Sequence, residues 1–136
     1  NFFSKLKIKD RKVLDLNFVN YLIELTAKGD REDFFILGPV IFNRLILDRF
    51  RPIVGESVLI TITERIRGLI GEQYKFMREI SYRDGRVMMD AVDNASKGSS
   101  VQQLSFAFRD YSYAFLHLVR TLTSDILVER WDQERK

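Results

Sequence analysis

Four apolar residues, Leu14, Phe18, Leu22 and Leu25, recur at steps of four, four and three between Val13 and Lys28, which places them on one face of an α-helix. Gly29 comes next, at a natural C-cap position. Asp30 can cap the next element, and Glu32 and Asp33 put negative charge in its first turn, where the helix dipole favours it. The pair Gly38-Pro39 interrupts the pattern before an apolar run resumes from Val40 to Phe50. A kink or two short helices is expected there, with Pro52 in the first turn of the next helix.

The stretch "SVLITIT" (Ser57 to Thr63) alternates like a strand, yet Leu59, Ile62, Ile66 and Leu69 step by three, four and three. The longer pattern predicts a helix extended on the same face by Met77 and Ile80, with Thr61 and Thr63 outside. Gly68 and Gly71 weaken that helix or admit a close neighbour. Val87, Met88, Ala91, Val92 and Ala95 predict a short helix ending at Lys97-Gly98. Ser100 and Gln103 then form an S-x-x-Q capping box, so the last helix starts near Val101.

In that last helix Leu104, Phe108, Tyr111, Phe115, Leu118 and Leu122 alternate steps of four and three, a heptad seam suited to a partner or dimer interface. At 1.5 Å per residue, 36 residues span about 54 Å. A compact domain of this size is about 30 Å across, so residues 125–136 are expected to protrude as a linker or dimerisation helix. Residues 1–12 form a separate basic arm, with Lys5, Lys7 and Lys9 alternating with Leu6 and Ile8. The reading is an all-α, single-domain bundle of four to five helices over 13–136, with a long C-terminal helix.

Composition narrows the function. Of the 136 residues, 46% are apolar and 30% charged, ordinary globular usage. The longest apolar runs, such as Phe34 to Phe42, fall well short of the roughly 20 residues of a membrane span. Zero cysteines and one histidine exclude disulfides, thiolate nucleophiles and zinc-finger sites, and fit a cytoplasmic setting. The formal charge is +3, but five basic residues against one acid give the arm +4 and leave the other 124 residues at −1. The basicity therefore belongs to the arm, and the chain, which opens at Asn1, reads as a segment of a larger protein or as a processed one.

No catalytic constellation, cofactor motif or metal set emerges. Glu24, Asp48, Glu56, Glu64 and Glu72 are linked by no acid–base motif, and "KGSS" (Lys97 to Ser100) lacks the spacing of a phosphate loop. Arg44, Arg49, Arg51, Arg65 and Arg67 fall in a stretch of net +3 from 44 to 86 and are candidates for holding an anion. Phe106, Tyr113, His117 and Arg120 share a stripe with Asp110 beside the seam, a candidate ligand or partner face. These features point to a non-enzymatic regulatory, signal-input or assembly domain acting through a protein partner, an adjacent domain or its own homodimer. The alternative is a helical module that binds nucleic acid or phosphate.

Overall fold

The computed structural model of the chain describes residue 24 and residues 28–134, with side chains described among these as far as residue 119 and at residue 121. The arm of residues 1–12 and the helix expected from Val13 lie outside the described residues, apart from a helical Glu24 and the turn at 28–29. What is described is an all-α bundle with one small hairpin and a long C-terminal helix.

Helix α1, Arg31–Ile41, begins at Asp30, whose carboxylate accepts from the Asp33 N–H at 2.9 Å; the Asp33 carboxylate accepts in return from the Asp30 N–H at 3.4 Å. The expected break at Pro39 does not occur. Proline denies the Phe35 carbonyl its donor, but the preceding Gly38 has no Cβ to meet the proline ring, and the helix passes through. The chain instead widens into a π-helical stretch, Phe42–Leu47, where the Asp48 N–H bonds to the Asn43 carbonyl five residues back. This packing buries Phe42, Asn43, Leu45, Ile46 and Leu47 together. Helix α2, Asp48–Val54, holds Pro52 in its last turn, not in the first turn of the next helix.

Helix α3, Glu56–Gln73, confirms the helical reading of Ser57 to Thr63 but corrects its face. The buried stripe is Leu59, Ile62, Thr63, Ile66 and Ile70, while Leu69 is 53% exposed. A step of four continues the stripe from Ile66 to Ile70. Thr63 enters it because its hydroxyl donates to the Ile60 carbonyl at 3.0 Å, which satisfies the buried group locally. Met77 and Ile80 also reach the core, but from a 3₁₀ turn, Lys75–Glu79, and the residue after it.

The helix expected from Val87 is in fact a hairpin and then a shorter helix. Strands β1, Ser81–Arg83, and β2, Arg86–Met88, pair antiparallel with Arg83 opposite Arg86. Asp84 and Gly85 both have positive φ, 56° and 77°, the two-residue turn whose twist matches that of the strands. Helix α4, Asp90–Ala95, comes after it. Arg31 fastens its end from the start of α1: the guanidinium donates to the Asp93 carboxylate and carbonyl, the Ser96 hydroxyl and carbonyl, and the Ser99 carbonyl, at 2.6–3.2 Å. All five of its N–H donors are thereby used.

Helix α5, Val101–Glu134, is 34 residues long and starts in the expected box, with Gln103 N–H on the Ser100 hydroxyl at 3.1 Å and Ser100 N–H on the Gln103 side chain at 3.2 Å. It packs on α3 and α1. The centre of the core is aromatic: the Phe42 ring meets Phe108, Tyr111 and Phe115 edge to face at 6.0, 5.3 and 5.2 Å, the arrangement that ring quadrupoles favour.

Candidate functional site

The heptad seam faces inward over most of its length. Leu104, Phe108, Tyr111 and Phe115 are each at most 1% exposed, and their neighbours are Phe34, Phe42 and Phe50 of the same chain. An interface between chains built on these four positions is thus corrected: their apolar surface is already covered internally. Leu118 is half-buried and packs against this core. The side chain of Leu122 lies outside the described residues.

Two of the five arginines are tied into ion pairs within the chain. Arg51 lies at the joint between α2, α3 and the hairpin: it donates to Asp48 at 2.5 Å and to Glu56 at 3.0 Å, and binds the Tyr82 hydroxyl and the Gly85 carbonyl. The Tyr82 hydroxyl donates to Glu56 in turn. This cluster holds Arg51 firmly protonated, first through Tyr82 and then through the two carboxylates, against some loss of hydration. It also draws the Glu56 carboxyl below its usual range, chiefly through Tyr82 and next through Arg51. Arg51 is committed within the fold, so its candidacy as an anion ligand is corrected. Arg67 pairs with Glu64 at 2.5 Å; Arg44 and Arg65 are exposed, and Arg49 is half-buried.

Along the outer stripe of α5, Phe106 is 48% exposed, Tyr113 is half-buried and His117 is exposed. The side chain of Arg120 lies outside the described residues. Asp110 turns away from this stripe: it accepts from the Tyr74 hydroxyl at 3.0 Å and pairs with Arg109 at 3.4 Å, and Arg109 in turn covers the Phe106 ring at 5.0 Å. The Tyr74 phenol is raised by burial and by this carboxylate. A polar cluster of Asp110 with His117 is not assembled.

A site that the sequence pattern did not reveal lies between α1, the π-helical stretch and β2. It is a groove of about 490 Å³ lined by the apolar Phe35, Pro39, Val40 and Met88 together with the charged Arg44, Arg86 and Asp90. Its floor is fixed by Asn43, only 5% exposed, whose side-chain amide donates to the Val87 carbonyl at 3.0 Å and accepts from the Val87 N–H at 2.9 Å. The register explains why these groups are free to do so. In a two-residue hairpin Arg83 and Arg86 form the hydrogen-bonded pair, so the next residue, Val87, turns both backbone groups away from β1. The dipeptide Asp84-Gly85 between short apolar stretches was the signal that could have revealed this edge.

Among the described residues no group of three or more histidines, cysteines or carboxylates could hold a metal ion, and no helix is long and apolar enough to cross a membrane. No protein-family model matches the chain, and comparison with curated proteins and with solved structures gives no match.

Proposed function

We propose that this chain is a non-enzymatic signal-input or assembly domain of a cytoplasmic protein, with α5 as its output element. The observation that carries the proposal is the continuity of α5. Its first half supplies Leu104, Phe108, Tyr111 and Phe115 to the core, and the same unbroken helix runs to Glu134. Its 34 residues correspond to about 51 Å at 1.5 Å per residue, against about 30 Å for a compact domain of this length. A rearrangement of the aromatic core is therefore a displacement of a rod that reaches beyond it. The rod's far half pairs with a second copy or with a protein partner, through heptad positions from Leu118 onward, while Phe106 and Tyr113 offer an aromatic face alongside.

Native mass spectrometry at low and high salt tests this. A dimer that persists in high salt, and that Leu122→Glu with Ile126→Glu abolishes, supports it; a monomer under both conditions overturns the dimer mechanism. The alternative, binding of nucleic acid through the arm and the arginines from 44 to 86, has less support because Arg51 and Arg67 are engaged in ion pairs. Its signature is an oligonucleotide adduct lost as salt rises, by counterion release.

A further inference from the structure

We infer that the groove between α1 and β2 is a binding site for an apolar α-amino acid, held as a zwitterion between Arg86 and Asp90. The site stands whether or not the chain assembles through α5.

The apolar part of the ligand follows from the lining. A groove of about 490 Å³ lined by Phe35, Pro39, Val40 and Met88 is within the range of small-molecule sites, which are largely apolar with a few placed polar groups. Asn43 ties the π-helical stretch to β2 through two hydrogen bonds, so the two sides of the groove are held together before any ligand arrives. An aromatic side chain suits this lining, because Phe35 offers it a ring contact and the Met88 thioether is a favourable neighbour for a ring.

The polar part follows from the charges left over. Three charged residues line the groove, Arg44, Arg86 and Asp90. Arg44 already has a partner within the chain, which removes it from the balance. Arg86 and Asp90 are exposed, and among the described residues neither has an ion-pair partner, in each other or elsewhere. The groove therefore offers one cation and one anion, four residues apart, that sum to zero without satisfying each other. A ligand with a net charge leaves one of them unmatched; a zwitterion matches both. An α-amino acid carries its carboxylate and ammonium on a single carbon, the first for Arg86 and the second for Asp90. Arg86 also sits directly across the hairpin from Arg83, where like charges destabilise a strand pair, and the ligand's carboxylate supplies a counter-charge at that point.

L-phenylalanine is the probe, titrated against the full chain by calorimetry and by NMR of its ¹³C-labelled carboxylate. Each comparator lacks one recognised feature: phenethylamine the carboxylate, 3-phenylpropionate the ammonium and glycine the apolar side chain. Saturable binding of L-phenylalanine is expected, tighter than that of all three. Arg86→Gln should weaken it about tenfold, the loss of one charge-assisted contact, and should leave phenethylamine binding unchanged, since that ligand has nothing for Arg86 to hold. Asp90→Asn should do the same to L-phenylalanine and leave 3-phenylpropionate unchanged. Arg65→Gln, on α3 and outside the groove, should alter neither. No saturation, a comparator binding as tightly as L-phenylalanine, or indifference to Arg86→Gln and Asp90→Asn would each overturn the inference. The dimer test on Leu122 and Ile126 reads oligomeric state and not ligand uptake, so the two readings fail separately.

Discussion

The Asn43 side chain substitutes for a third strand beside Val87: its amide meets both backbone groups that β2 turns away from β1, at 3.0 and 2.9 Å. Burial makes this pairing consequential, because each Val87 group left without a partner bears its full loss of hydration. Asn43→Ala should therefore lower unfolding free energy by roughly 2–6 kcal/mol, two unsatisfied groups at about 1–3 each. Urea denaturation checks this. A loss under about 1 kcal/mol would mean that water enters and replaces the amide.

Tyr111 presents the opposite case. Its ring is buried against Phe42, yet its hydroxyl has no hydrogen-bond partner among the described residues. Tyr111→Phe keeps the ring contact and removes a buried polar atom, so stability should stay level or rise by about 1 kcal/mol. Thermal denaturation at neutral pH reads this directly.

The same phenol gives a pH signature. Burial, the main cause, raises it above its ordinary range, so the unfolded chain releases its proton first as pH climbs. Stability is then complete below the ordinary tyrosine value of about 10 and falls above it. Between about pH 9 and pH 11, wild type should lose more stability than Tyr111→Phe.

At the Arg51 cluster the sign reverses. Glu56 is held low by the Tyr82 hydroxyl and then by Arg51, so its contribution exists above the ordinary carboxylate value of about 4 and disappears as pH falls through the lower folded value. Glu56→Gln should be the less stable protein at neutral pH, and the difference should close on acidification. A gap that persisted at about pH 2 would assign the effect to shape and not to charge.

Two glycines of α3 separate tolerance from need. A Cβ on Gly68 meets nothing within 4 Å, whereas on Gly71 it would lie 2.6 Å from the Arg78 Cγ, whose side chain also donates to the Gly71 carbonyl at 3.0 Å. Gly68→Ala should raise stability by about 0.5–1 kcal/mol through helix propensity. Gly71→Ala should lower it by about 1 kcal/mol or more, since Arg78 must move and give up its bond. Unfolding midpoints of the two variants should move in opposite directions.

Features set by neighbouring residues were legible in the sequence. The caps at Asp30 and Ser100 and the start of α5 at Val101 arise from side chains three residues apart. The seam from Leu104 to Phe115 was legible as a buried face, but periodicity states that a face is covered and not what covers it. Phe34, Phe42 and Phe50 had the prior claim. Pro39 was misread because Gly38 removes the clash that proline usually brings. The hairpin was missed because Val87 and Met88 suit either period in strands of three residues, which left Asp84-Gly85 as the deciding signal. The groove was not legible at all, since its walls come from residues 35–44 and 86–90, which are brought together only by tertiary structure, where Asn43 bonds to Val87.

Arg31 also ties together two parts of the domain that are far apart in sequence. The carbonyls at the end of α4 are satisfied by a side chain 62 to 68 residues earlier, and six residues are too few for a helix that persists unaided in water. Helix α4 therefore depends on tertiary contacts, and the bonds from Arg31 are those that satisfy its end. Amide exchange along α4 is expected to quicken when Arg31→Ala removes them.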